Sequence, residues 1–165
     1  MYDISVPVFI RYLNNLSAIL KKAEAHCEAR KIDPAALLEF RLYPDMLPFR
    51  RQVTLVSDHS KGAAARLAGV PVPSFEDVEK TFPELGARLA KTIAFMEGMK
   101  PEQYKDAASR TITLKVGGGK EISEPAVPYL MNRVFPNFHF HLTTAYNILR
   151  HNGVELGKAD YLGRG

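Results

Sequence analysis

The sequence predicts a mainly α fold: a four-helix bundle with one small β-hairpin between the third and last long helices. Four long stretches carry apolar residues at every third or fourth position, which is the spacing of one helix face. A short segment, residues 111–116, alternates polar and apolar side chains as a strand does. The 165 residues are enough to bury a core without disulfides, and no repeat or low-complexity linker divides them. One domain over residues 1–165 is therefore expected.

The composition narrows the class of protein. Hydrophobic residues make up 46% of the chain and charged residues 24%, as in an ordinary soluble domain. A single cysteine, Cys27, excludes an intramolecular disulfide and a cysteine-cluster metal site. No run approaches the ~18 apolar residues of a membrane span, and the N-terminus lacks a secretory pattern. We therefore expect a cytoplasmic protein with no membrane partner.

The net charge of +4 is too dispersed to predict nucleic-acid binding. A nucleic-acid interface needs Lys and Arg concentrated on one face. Here the basic clusters are short and acidic residues interrupt most of them, as at residues 76–80. A solvated surface of mixed sign is the favoured interpretation, and no nucleic-acid partner is expected.

The first two long helices have clear boundaries. Apolar residues recur every three or four positions over residues 7–29 and again over residues 48–68. Gly69 is well placed to end the second helix, because Pro71 prevents its continuation. Both helices are therefore expected to present one apolar face to a common core.

The third long helix is predicted to begin at a capping box. Ser74 and Asp77 have the spacing of such a pair, Pro83 interrupts the segment, and the strongest helical pattern covers residues 83–99. The alternating segment that follows leads into glycines 117–119, which supply the positive-φ positions of a turn. A β-hairpin is therefore expected there.

The last long helix is predicted over residues 137–151, with Asn137 as its N-cap directly after Pro136. Gly153 is expected to end it after a basic last turn, which suits the helix dipole. The tail, residues 154–165, contains three glycines and is expected to be irregular.

Two histidines lie beside the apolar faces of different long helices. His59 follows Val56 by three residues in the second helix, and His141 follows Phe138 by three in the last. Two imidazoles that project inward from facing helices can begin a divalent-metal site in a bundle. They do not complete one, because catalytic zinc normally has three protein ligands. The alternative is that both are buried neutral side chains, hydrogen-bonded to Thr, Tyr or backbone groups.

The polar neighbours of these histidines are weaker candidates for metal ligands. Asn137 precedes His141 by one helical turn and shares its face, but it offers only a neutral amide oxygen. Asp58 lies about 100° round the helix from His59, so it can orient that ring rather than share a ligand with it. His139 is expected at the opposite edge of the last helix. No independent nucleophile is predicted.

Several segments together resemble an uncharacterised bacterial family known only as a domain of unknown function. The resemblance spans nearly the whole chain, and it is carried by LYPDM at 42–46, QV at 52–53, SDHSK at 57–61, PNFHFH at 136–141 and TTAYNILR at 143–150. The family is placed in the DinB/YfiT-like superfamily of four-helix bundles, which are often dimeric. Its usual pattern is one histidine of the second helix and a His-x-x-x-His pair of the last long helix, binding a divalent metal.

The resemblance implies a metal site at His59, Asn137 and His141, with zinc, nickel or manganese as the ion. Asn137 stands where the superfamily has the first histidine of the pair, so this sequence departs from the pattern at one of three ligands. Asp58 and Thr144 are expected to support these residues or to line their pocket.

Two functions remain open at this point. One is a DinB-like bundle that binds a small molecule or a partner protein and keeps a degenerate metal site. The other is a divalent-metal-dependent enzyme, such as the thiol-dependent transferases and isomerases among the relatives, or a hydrolase. A homodimer is a further expectation from the resemblance.

Overall fold

Four long helices form the bundle in this computed structural model, which describes residues 1–164. The mainly α fold with a hairpin before the last long helix is confirmed. In chain order the helices are α1 (Val6–Arg30), α2 (Pro34–Leu38), α3 (Phe49–Ala68), α4 (Phe82–Glu97), α5 (Ala126–Pro128), α6 (Phe135–His151) and α7 (Lys158–Leu162).

The apolar faces of the long helices meet in one core. Helix α3 packs against α6 on one side and α4 on the other, while α1 packs mainly against α4. Burial of these side chains is the main source of stability, because it removes apolar surface from water. Every long helix contributes fully buried residues, for example Phe9, Leu13, Val53, Val56, Leu85, Leu89, Phe138 and Leu149. No helix within residues 1–164 is both long and apolar enough to span a membrane.

The first two long helices begin and end close to the predicted residues. Pro7 lies in the first turn of α1, where its missing N–H costs no helical hydrogen bond. Helix α3 ends at Ala68 and is capped by Gly69, whose φ of 74° is the left-handed conformation that closes a helix at low cost for glycine. The periodicity of the sequence was therefore sufficient to predict the bounds of both helices.

Helix α4 begins eight residues after the predicted cap, so the capping box at Ser74 was wrong. Thr81 is the N-cap: its hydroxyl accepts from the Glu84 amide, and the Glu84 carboxylate accepts from the Thr81 amide. Residues 71–80 form no helix. The Asp77 carboxylate instead pairs with Arg51 and Arg88, which ties this segment to the bundle.

The last long helix begins before Pro136, so the prediction of Asn137 as N-cap was also wrong. Helix α5 continues through a π-helical turn, Tyr129–Val134, directly into α6. Such a π-helical turn is often found where the regular pattern of backbone hydrogen bonds in a helix is interrupted. Pro136 interrupts it here, because proline has no backbone N–H. Asn137 therefore lies inside the helix, and its Nδ2 donates backward to the Arg133 carbonyl at 2.7 Å.

The predicted hairpin is confirmed. Strand β1 (Thr111–Lys115) pairs antiparallel with β2 (Glu121–Pro125), with Leu114 opposite Ile122. The turn between them contains Gly118 and Gly119 at φ of 74° and 77°, which other residues rarely adopt.

The tail is ordered as a helix, contrary to the expectation of an irregular segment. Helix α7 docks on α1, where Asn15 Nδ2 donates to the Tyr161 carbonyl at 2.9 Å. Lys22 pairs with Asp160 at 2.5 Å on the same side. The tail lacks a long apolar pattern, so contacts with α1 rather than its own sequence hold this short helix.

Candidate functional site

One face of α3 carries three polar side chains at intervals of seven residues: Gln52, His59 and Arg66. Seven residues make almost two complete helical turns, so all three point toward the same side of α3. Sequence reasoning singled out only His59. The regular spacing was the signal that would have found the other two.

Helix α6 brings His141 to this face of α3. Ala63 of α3 and Ala145 of α6 are fully buried, and such small side chains allow the two helices to approach closely. The His59 and His141 rings lie with their centroids 5.4 Å apart and their planes 11° from parallel. Two histidines separated by more than eighty residues in the sequence are thus neighbours, and both are half-buried.

Gln52 determines which nitrogen of His141 carries the proton. The Gln52 side chain is buried, and its Nε2 donates to the Leu47 carbonyl at 2.9 Å. A carbonyl only accepts, so the amide oxygen must face the other way, where it lies 2.7 Å from His141 Nδ1. His141 therefore holds its proton on Nδ1, and the Nε2 lone pair is left available.

Both imidazoles are neutral at physiological pH. Burial, and to a smaller extent the neighbouring His59, lower the pKa of His141 from 6.5 to about 4. Burial also lowers the pKa of His59; Asp58 opposes this shift, and Arg66 and Lys61 reinforce it. Two neutral rings side by side can accept hydrogen bonds or ligate a borderline metal ion, since neither use requires loss of a proton.

Asp58 and Thr144 flank the pair without bonding to its rings. The Asp58 carboxylate accepts from Arg88 Nη2 at 2.8 Å and also pairs with Lys61. It therefore acts on His59 through charge rather than through a hydrogen bond. Thr144 is buried in α6 one turn after His141.

Asn137 lies four residues before His141 on α6, and its Nδ2 is engaged by the Arg133 carbonyl. Its side chain lines a cavity of about 340 Å³ together with Glu124, Pro125 and Arg133. Only its Oδ1 is left to face a ligand. His139 lies on a different side of α6, where its Nδ1 is 3.2 Å from the Tyr161 hydroxyl.

The donor set does not fit a complete resident metal centre. Within residues 1–164, no group of three or more His, Cys, Asp or Glu side chains is arranged to hold an ion. The pair supplies two imidazole nitrogens, and an amide oxygen is a weak third donor for zinc or nickel. The chemistry available at the site is therefore that of its own side chains.

These features define a four-helix bundle in which two histidines of facing helices lie side by side. The profile of DUF1993, a domain of unknown function, matches residues 1–162. The chain belongs to the DUF1993 family.

The same architecture is found in a solved relative. The sequence of this chain is 41% identical to that of a DinB family member protein from Shewanella denitrificans. The crystal structure of that protein matches the fold of this chain with a TM-score of 0.90. The match covers 98% of this chain and 91% of that one. The DinB-like fold inferred from the sequence is therefore confirmed. No curated protein sequence matches the chain.

Proposed function

We propose that this DUF1993 protein binds a small molecule at the two-histidine site, defined as the adjacent rings of His59 and His141 with Gln52 behind them. The observation that supports the proposal is the pair itself, two neutral rings 5.4 Å apart between α3 and α6. The site keeps two of the three positions of the superfamily's metal centre and departs at Asn137.

The ligand would carry a hydrogen-bond donor such as a hydroxyl, thiol or amide. With its proton held on Nδ1 by Gln52, His141 presents Nε2 as an acceptor toward the ligand. Partial burial strengthens such a bond, because less water competes for the donor. Half-burial also leaves the rings accessible from solvent, so no large movement is needed for entry.

The proposal is tested by thermal-shift measurements of ligand binding. A panel of small hydroxy acids, amides and thiols is screened with chelator present, against the wild type and the His59→Ala/His141→Ala double variant. We expect at least one compound to raise the melting temperature of the wild type only. His151→Ala is the matched control, since His151 lies exposed at the end of α6. Increases that persist in the double variant would contradict the proposal.

The second candidate is a divalent-metal-dependent enzyme that uses His59, His141 and Asn137. Two observations favour it: both imidazoles are neutral, and the Asn137 amide has its oxygen free. A bound zinc, nickel or manganese ion would act as a Lewis acid toward a substrate oxygen or thiol. Elemental analysis of protein prepared with each metal decides it. A stoichiometric amount of metal in the wild type that is lost in the double variant would support the enzyme. Trace amounts of metal that are equal in the wild type and the double variant would exclude a metal site here.

A homodimer and a cytoplasmic location complete the proposal. The dimer is supported by the superfamily resemblance and by several large apolar side chains on the surface, including Tyr43, Met131 and Phe140. Sedimentation equilibrium of the purified chain tests it, and a monomer at high micromolar concentration would refute it.

A further inference from the structure

We propose that Arg66 is a carboxylate-binding arm of the two-histidine site, so that its ligand is a small carboxylic acid carrying a second polar group. The inference rests on the proposed function and adds the chemical class of the ligand. Three features of the described residues support it: the direction of the Arg66 side chain, its lack of an acidic partner, and the pairing of the neighbouring charges.

The Arg66 side chain runs back along α3 toward His59. Side chains on a helix lean toward its N-terminus, and Arg66 follows His59 by seven residues on the same face. Its Nη1 lies 2.6 Å from the position that a Cβ on Gly62 would occupy, and apart from the two chain neighbours of Gly62 no other side chain comes within 4 Å of that position. Gly62 thus leaves the space in which the guanidinium lies against α3, about one helical turn from His59.

The guanidinium lacks the partners that other sheltered arginines of this protein have. Six arginines within residues 1–164 are buried or half-buried. A carboxylate pairs with each of four of them, namely Arg50, Arg51, Arg88 and Arg133. Arg110 donates to two backbone carbonyls. Arg66 has neither kind of partner, and its one hydrogen bond is to the Tyr129 hydroxyl at 3.3 Å.

A guanidinium has five N–H groups, so most of those of Arg66 are free for a ligand. None of its nitrogens is both buried and unbonded, which means that the free N–H groups reach solvent. The planar fork matches the two oxygens of a carboxylate, and a bond between opposite charges is stronger than a neutral one. The charge of Arg66 also reaches His59, where it favours the neutral ring.

The neighbouring charges favour a monoanionic carboxylate over a phosphate. Lys61 is paired with Asp58, and Arg133 is paired with Glu124, so neither is free to balance a second negative charge. Arg66 therefore supplies one unpaired positive charge beside two neutral imidazoles. A carboxylate bound there would direct the rest of the ligand along α3 toward His59 and His141.

The test is an NMR titration of isotopically labelled full-length protein, with ionic strength held constant and chelator present. The probes are 3-hydroxybutanoate, its neutral amide and inorganic phosphate. The readouts are the Arg66 Nε–H signal and the ring signals of His59 and His141. We expect 3-hydroxybutanoate to shift all three saturably, and the amide to shift none at the same concentration.

Variants separate the role of Arg66 from that of the histidines. Arg66→Gln should weaken 3-hydroxybutanoate binding about tenfold or more, and Gly62→Ala should weaken it by displacing the guanidinium. Arg30→Gln, an exposed arginine at the end of α1, is the matched control and should change nothing. Melting temperatures confirm that each variant is folded.

Any of the following results would overturn the carboxylate assignment: equal binding of the acid and its amide, unchanged binding in Arg66→Gln, or tighter binding of phosphate. The absence of any shift at Arg66 would also overturn it. In these cases the proposed function still stands if any compound of the thermal-shift panel requires His59 and His141. If no compound requires those histidines, the proposed function fails as well.

Discussion

At the scale of single residues, Gln52 shows how a buried amide sets the chemistry of a neighbouring histidine. Its two ends cannot be exchanged, because the Leu47 carbonyl accepts only from a donor. The oxygen is thereby aimed at His141 Nδ1. A histidine positioned in this way presents one defined nitrogen to a ligand, as metal-ligating histidines do when a second residue holds the other nitrogen.

We predict that His141 is the Nδ1–H tautomer in the wild type and that this depends on Gln52. Nitrogen chemical shifts of the labelled ring should show a protonated Nδ1 and an unprotonated Nε2. Gln52→Glu keeps an acceptor at the same place and should preserve this tautomer. Gln52→Leu removes the acceptor and should give a mixture of the two tautomers. An Nε2–H tautomer in the wild type would refute the assignment.

We also predict that His141 makes the protein less stable at acid pH. Its pKa is lowered from 6.5 to about 4 by burial and by His59, so the folded ring stays neutral where the unfolded one is protonated. Between those two values the unfolded state binds more protons, and the free energy of unfolding falls as pH is lowered from 6.5 to 4. For a half-buried ring we expect a loss of about 2 kcal/mol.

Urea unfolding at about pH 7 and about pH 4.5 measures this loss, with chelator present throughout. His141→Gln cannot titrate in this range, so it should lose less free energy of unfolding than the wild type between the two conditions. The comparison cancels the other titrating groups, which both proteins share. Equal losses would mean that His141 has an ordinary pKa.

At the scale of elements, the start of α4 shows why two similar capping signals are not equivalent. Ser74–Asp77 and Thr81–Glu84 both have suitable residues at the right spacing. Only Thr81 caps α4, since the carboxylate of Asp77 is used by Arg51 and Arg88. Competition for a side chain by distant partners is not visible in local sequence.

Thr81→Ala should therefore destabilise the protein by about 1 kcal/mol, the usual cost of losing an N-cap. Ser74→Ala should change the free energy of unfolding by less than about 0.5 kcal/mol, as at an ordinary exposed position. Denaturant unfolding of both variants measures the difference. A larger effect at Ser74 than at Thr81 would contradict the observed cap.

At the scale of the whole molecule, Arg88 joins three separate parts of the chain. Its side chain is almost completely buried on α4 and contacts Asp58 of α3 and both Asp77 and Glu79 of the segment between α3 and α4. It also donates to Ser57 at 3.3 Å. An irregular segment is thus held against the bundle by charge pairs rather than by its own secondary structure.

Arg88→Met should destabilise the fold by about 3 kcal/mol, because it leaves carboxylates partly buried without their counter-charge. Adding Glu79→Gln should recover part of this loss, since one of the unpaired charges is then removed. Arg150→Met, on the exposed side of α6, is the control and should be nearly neutral. Denaturant unfolding measures all of them, and a neutral Arg88→Met would show that the network contributes little.

Much of the architecture was predictable because the core faces repeat every three to four residues. That period located α1 and α3 closely and placed His59 and His141 beside the core. The beginning of α6 and the helix in the tail were not predictable. Pro136 is normally a sign of a helix start, yet here a π-helical turn carries the helix past it. Helix α7 depends on contacts with α1, which lies more than a hundred residues away.

The sequence by itself determined the fold class, the family and the two histidines, because apolar period and residue type are local properties. Only the tertiary structure decided the environment of those histidines. Gln52 meets His141 because α3 and α6 pack at one depth and in one rotational setting. That setting results from the packing of the whole core, so it cannot be predicted from the spacing of residues within a single helix.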